Sequence, residues 1–272
     1  MTQQTIPHPS PDLFNRGPLR RRWARGILVG LVVAFVVLLV WYANLFVQLR
    51  LSLTDLLYIQ QPTTDTIVLV AIDDDTLQAY GSLLGWDRTR YADALNTLVD
   101  AEARVVAFDV LFAEPRDGDD AFAAALADAN AAGTRTILAA SGIERQPIPE
   151  RPVIAFRREL APVAPLAQND THIAYVNAYP DADGTIRAAI SQGITGGEVG
   201  QTERLSFALA TYLAYFRISP ALAPQVITTD TDQITLPPDV RIPIDERGMW
   251  YHNFYGVTRV DGTFQTDRKS VV

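Results

Sequence analysis

Hydrophobic and polar positions divide this chain into one long oily run and a patterned remainder. From Gly26 to Leu49 there are 24 consecutive residues without Asp, Glu, Lys or Arg, and the most apolar part reads GILVGLVVAFVVLLVWYA. As an α-helix this run extends about 36 Å, enough for the ~30 Å hydrocarbon core of a bilayer. Strands do not run this long, and a buried core helix seldom lacks every charge over so many turns. The pattern predicts a transmembrane helix over 26–48, with Trp41 and Tyr42 suited to an interfacial aromatic belt. A signal peptide has a shorter apolar region and ends in a small-residue cleavage site, which this stretch lacks, so the segment is expected to stay as an anchor.

Beyond the oily run the periodicity changes. Residues 44–61 keep helical leucine spacing, interrupted by Arg50 and Asp55 and stopped by Pro62, which assigns 49–64 to a juxtamembrane helix. Such a helix either carries a mechanical signal or acts as a plain spacer. Thr66–Ile72 (TIVLVAI) has the β-branched, apolar character of a strand covered on both faces, and Asp73, Asp74 and Asp75 follow it. After a loop with Gly81, Gly85 and Trp86, a helix capped by Asp87 is expected, its apolar face formed by Tyr91, Ala94, Leu95, Leu98 and Val99. A strand at 104–108 delivers Asp109. A helix at 119–130 follows with Phe122, Ala125, Leu126 and Ala129 on one face and Gly133 as its stop, and then a strand at 136–140.

This β-α-β-α-β order implies parallel strands with right-handed crossovers. The stretch 145–170 is spotted with proline and reads as an extended excursion. A hairpin is expected from 173–178 and 185–191 around the Pro180–Gly184 turn, then a helix over 203–216 capped by Thr202. Short strands alternate with turns at Pro237-Pro238 and Arg247-Gly248 over 226–255. The fold class is therefore α/β: one N-terminal transmembrane helix followed by a mixed, partly parallel β-sheet flanked by helices. One domain over 65–262 is expected, with 263–272 as a C-terminal tail or truncated connection.

Charge fixes the expected orientation. Residues 1–25 form a basic tail with five arginines, Arg16, Arg20, Arg21, Arg22 and Arg25, against Asp12, a net +4, so the remainder carries −12 of the overall −8. Basic residues flanking a span are retained in the cytoplasm. That places residues 1–25 inside and the main domain outside, in a single-pass arrangement. No basic stripe suited to nucleic acid is present, and with no cysteine the chain has neither disulfides nor thiol chemistry.

The chemistry points to the carboxyl ends of the parallel strands, where open α/β sheets bind ligands. Asp73 and Asp109 each end an expected strand. Neighbouring strands would bring their carboxylates together, so they need a cation, a shared proton or a partner such as Arg88. That triad either binds a polar or cationic ligand or fixes the loops as a structural network. Trp86 and Phe112 would line a pocket at the same end or pack there. Asp74, Asp75, Glu114, Asp117, Asp119 and Asp120 make the rim acidic, for a divalent ion or simply for helix N-termini. We assign no metal ligand and no cofactor. The Asp181–Gly184 turn is read as a hairpin turn rather than a calcium loop, with Asn177 and Arg187 tying its arms to the core. Enzyme readings fare poorly, because the nucleophile-elbow, phosphate-loop and zinc-protease motifs are all missing; a hydrolase using paired aspartates as acid and base is the enzyme alternative. The chain is expected not to be an enzyme. A structural or interaction protein without a small ligand is the other alternative.

Several segments in order carry a family likeness: IVLVAIDDDTL at 67–77, GWDRTRYADALNTL at 85–98, VVAFDVLFAEP at 105–115, DGDDAFAAAL at 117–126, IAYVNAYPDADGTIRAA at 173–189, LSFALA at 205–210 and PIDERGMWYHNFYG at 243–256. Their order behind a transmembrane helix resembles the second type of CHASE domain, the extracellular sensory domain associated with bacterial cyclases, histidine kinases, diguanylate cyclases and serine/threonine kinases. The family usually has Trp-Pro-Arg where this chain has Trp86-Asp87-Arg88, and often Asn-Tyr in place of Asn253-Phe254. The resemblance implies an input module in the bacterial inner membrane that senses an unknown small molecule or ion. It also implies a homodimer, with a cytoplasmic output domain that this chain does not contain. The candidate ligand contacts are Asp73, Asp74, Trp86, Arg88, Asp109, Phe112 and Asn177. Membrane lipid around 26–48 is the other expected partner.

Overall fold

The computed structural model describes residues 17–42, 45–56, 66–146, 153–168, 171–181, 183–196, 202–219, 222–230, 232–252 and 265–267. The start of the basic tail, Pro62, the Asn253-Phe254 pair and residues 268–272 lie outside them. Contacts divide the chain into two compact units, residues 1–57 and 58–272.

The first unit holds two helices, α1 (Gly17–Tyr42) and α2 (Leu45–Asp55). Within α1, Trp23–Tyr42 is long and apolar enough to cross a membrane, and none of it is buried inside the fold. Leu31, Phe35 and Leu38 are all more than 60% exposed. A helix that is apolar all round and uncovered by protein is matched by lipid, where its backbone groups are satisfied internally.

The second unit begins with β1 (Val68–Val70), α3 (Asp74–Tyr80), α4 (Thr89–Asp100), β2 (Val105–Leu111), α5 (Asp119–Ala132) and β3 (Arg135–Gln146). It continues through β4 (Ile154–Leu160), β5 (His172–Tyr175), β6 (Ala188–Ile190), β7 (Gln192–Thr195), β8 (Thr202–Leu205) and α6 (Phe207–Tyr215). It closes with α7 (Ala223–Val226), β9 (Thr228–Thr229), β10 (Gln233–Leu236), β11 (Val240–Pro243), β12 (Met249–Tyr251) and β13 (Gln265–Asp267).

The long strand β3 organises the main sheet. Its first half lies parallel between β2 and β5, with Phe108 opposite Leu138 and Leu138 opposite Ile173. Its second half turns to antiparallel pairing with β4, and the sheet continues through β7 to β8. The sheet is thus mixed and flanked by helices. Alternation along the strands separates two layers. Val106 and Leu138 face α4 and α5, packing with Tyr91, Leu95, Phe122 and Leu126. Val105 and Ile137 face α6, packing with Ala174, Ala210 and Ala214. Gly133 closes α5 in the left-handed conformation that the sequence anticipates, at φ +98°.

Four expectations are corrected. First, residues 145–170 are not a bare excursion: β3 runs on to Gln146 and β4 returns along it. The exposed charged pair Arg157 and Arg158 hid a strand whose first half, Ile154 to Phe156, is buried. Second, the 203–216 helix starts only at Phe207, because 202–205 pairs with β7. Third, the 173–178/185–191 hairpin is reduced to one bridge between Ala178 and Ala189, since β5 joins β3 and β6 joins β12. Fourth, β1 does not lie beside β2. Among the described residues it pairs in parallel with β13, and Ile67–Val70 are 42–50% exposed. A β-branched run specifies an extended chain, but its partner is a non-local choice that composition cannot encode.

Candidate functional site

The predicted site residues separate into different environments. Asp73 ends no main-sheet strand. It is the N-cap of α3, with Oδ1 accepting from the Thr76 amide at 2.9 Å and the Thr76 hydroxyl at 2.7 Å. An aspartate before a first helical turn satisfies an orphan amide and complements the dipole. Asp74, the first residue of that helix, is exposed. Asp109 is not at the end of its strand either, because β2 continues to Leu111. The register slips between Phe108 and Leu111, so Asp109 sits on the bulged stretch with an exposed side chain. Bulges re-aim side chains in this way.

Arg88 joins neither aspartate. Its guanidinium is 3% exposed, with Nε donating to Asp119 Oδ1 at 3.2 Å and an NH2 group donating to the Glu114 carbonyl at 3.2 Å. The guanidinium carbon lies 4.6 Å from the ring centre of Phe112. Asp119 Oδ2 accepts the Arg116 amide at 2.9 Å. The expected Asp73–Arg88–Asp109 triad is therefore replaced by a pin that closes the N-terminal ends of α4 and α5 on one another. Burying an ion pair is costly unless further hydrogen bonds accompany it, and the Glu114 carbonyl supplies one here. Asp87 supports the same turn by accepting the Thr89 amide at 2.7 Å, a bond that holds its carboxyl below the usual carboxylate range.

Trp86 and Phe112 belong to this closure. Trp86 is 9% exposed and its indole donates to the Gly81 carbonyl at 3.0 Å; Phe112 is fully buried. Tyr91 meets the Phe112 ring edge-on at 5.0 Å, and Phe112 and Phe122 lie 5.2 Å apart. Asn177 has a different task. Its amide accepts from Gly142 N at 2.7 Å and donates to Gly142 O at 2.9 Å, extending the β3–β5 ladder with a side chain. Arg187, 2% exposed, ties the 181–185 turn through Asp181 at 3.1 Å and Asp183 at 2.7 Å, and holds the Asp183 carboxyl far below the carboxylate range. Those carboxylates are committed to a guanidinium, in keeping with a turn rather than a calcium loop. Among the described residues no group of three or more His, Asp or Glu could hold a metal ion.

Sequence reasoning missed a second polar centre, which spans four strands. Glu159 on β4 receives Arg204 of β8 bidentately, at 2.9 and 3.1 Å, and the Tyr175 hydroxyl of β5 at 2.7 Å. The Tyr175 hydroxyl also contacts Thr195 of β7. Burial pushes the Glu159 carboxyl upward, but the hydrogen bonds from Arg204 and Tyr175 outweigh it and leave the group below its ordinary value. Burial raises the Tyr175 phenol. The centre depends on close approach at Gly193, where an added Cβ would lie 2.6 Å from the Phe156 ring and 2.8 Å from that of Tyr175. The signal in the sequence was slight: an acid and an arginine on otherwise alternating short runs, 45 positions apart.

The model of the CHASE2 domain family matches residues 31–270, nearly the whole chain. No curated protein and no solved structure matches it.

Proposed function

The chain belongs to the CHASE2 domain family, and we propose that it is the extracytoplasmic input module of a bacterial transmembrane receptor. CHASE2 domains are extracytoplasmic sensory modules of such receptors. The family match over 31–270 carries the reading, and the uncovered apolar helix at 23–42 supports a membrane anchor. The arginines before that helix favour a cytoplasmic N-terminus and an external main domain. The module binds a small ligand and passes a change of helix spacing or rotation through 44–61 to a cytoplasmic output, acting as a homodimer. Of the candidate contacts, Asp74 and Asp109 offer exposed carboxylates. Trp86, Arg88, Phe112 and Asn177 are engaged in packing or hydrogen bonds and would shape a site rather than line it. For the alternative hydrolase, Asp73 is spent on capping α3.

Orientation is tested with reporter fusions after Tyr251: alkaline phosphatase should be active and green fluorescent protein dark. The reverse pattern would sink the receptor reading. Transmission is tested with single cysteines placed along 44–61, free of background because the chain has none. A cross-linking pattern that stays unchanged under a proven agonist counts against it.

A further inference from the structure

Two buried serines are joined through their backbones where α6 begins. Ser206 precedes the first helical turn, Ser191 is the single residue between β6 and β7, and the Ser206 amide donates to the Ser191 carbonyl at 2.8 Å. Ser191 is 1% exposed and Ser206 4%, yet neither Oγ has a hydrogen-bond partner. A buried hydroxyl left unsatisfied costs about 1–3 kcal/mol. Serine at an N-cap ordinarily turns its oxygen onto an amide of the first turn, but no side chain caps α6.

The kind of group that would fit follows from what is present. Both hydroxyls can donate, the opening amides of a helix lack intrahelical acceptors, and the dipole of this nine-residue helix favours negative charge at that end. An oxygen acceptor would satisfy the donors of both hydroxyls. The location is also suitable: Ser206 forms a parallel bridge with Tyr175, the last residue of β5. That sets the hydroxyls at the carboxyl end of the parallel strands, where open α/β sheets take ligands. Ile190, next to Ser191 in sequence, and Leu209, three residues after Ser206, are themselves buried. The arginines flanking this stretch, Arg187 and Arg204, are committed to Asp181/Asp183 and to Glu159. With a net −12 over residues 26–272, the site suits one negative charge rather than several.

We infer that Ser191, Ser206 and the N-terminus of α6 form a carboxylate-binding site that holds one oxygen of a small monocarboxylate ligand. The inference rests on the sensory reading and gives its ligand a chemical class. The test uses the full chain in lipid nanodiscs, with thermal unfolding followed in formate, acetate and glycine against chloride at matched ionic strength. At least one carboxylate should raise the midpoint saturably while chloride does not. The Ser191→Ala/Ser206→Ala double variant should weaken that response about tenfold or more. Ser206→Gly, which keeps an acceptable N-cap but removes the hydroxyl, should weaken it in a chain that still folds. No carboxylate response in the wild type, or a response unchanged in the variants, overturns the site and leaves the hydroxyls to enclosed water. A reversed topology in the fusion assay would instead sink the sensory reading while leaving a carboxylate response intact, so the two failures are distinguishable.

Discussion

The two faces of the main sheet treat their buried polar groups in opposite ways. On the α4–α5 face, Arg88 spends its donors on Asp119 and Glu114 and lies against Phe112, and Asp87 takes an opening amide of α4. On the α6 face, Ser191 and Ser206 are just as enclosed and have no side-chain partner. A saturated cluster contributes to stability and resists change. An unsaturated one lowers stability until something supplies the missing acceptor, which ties occupancy to fold energy. Under the proposed carboxylate site, the difference would separate a part of the domain that holds its shape from a part that responds to occupancy.

The largest test of this contrast is Arg88→Met. It leaves Asp119 without its buried partner and is expected to destabilise the fold by about 3–5 kcal/mol, read as a shift of the urea midpoint. A loss under 1 kcal/mol would mean the pin contributes little.

Glu159→Gln should cost less, about 1.5–3 kcal/mol at neutral pH, since it weakens charge-assisted bonds while keeping the shape. This variant has a pH signature. The Glu159 carboxyl titrates lower in the folded chain than in the unfolded one, so its contribution is fully present above about pH 4.3, the unfolded value. It is lost as pH falls through the folded value. Acid unfolding of the wild type should therefore approach that of the variant at the lowest pH, and parallel curves would refute the assignment.

Reversing the arginines at the start of the membrane helix, with Arg20, Arg21, Arg22 and Arg25 each changed to Glu, should invert the fusion reporters in a large fraction of chains without altering the stability of the unit over residues 58–272. The smallest stability effect is expected on the unsaturated face. Ser191→Ala removes a hydroxyl that has no protein partner, so without ligand it should be neutral within about 0.5 kcal/mol or slightly stabilising. A loss comparable to that of Arg88→Met would erase the contrast between the faces.

Legibility in the sequence followed the range of the interactions. The Phe122, Ala125, Leu126 and Ala129 stripe and the Gly133 stop stand as read, because helix spacing and a left-handed terminus are written within a few residues. Arg88 was expected to pair with an acid, but the acid was misassigned. Asp119 lies 31 positions away and competes with Asp73 and Asp109, which look equivalent until the chain is folded. The Glu159–Arg204 pair left almost no trace, since each residue alternates as a solvent-facing strand residue would.

The sequence by itself determined the apolar span, its basic flank, the α/β character of the remainder and the family, because each depends on local composition, period or motif order. Tertiary structure alone decided that β1 pairs with β13, that Asp73 caps a helix, that Arg88 meets Asp119, and that Ser191 and Ser206, joined through their backbones, are buried with unsatisfied hydroxyls. Those outcomes depend on which distant groups share a low-dielectric interior once the strands are in register. Competition among chemically equivalent partners is settled there by geometry, and no linear spacing records it.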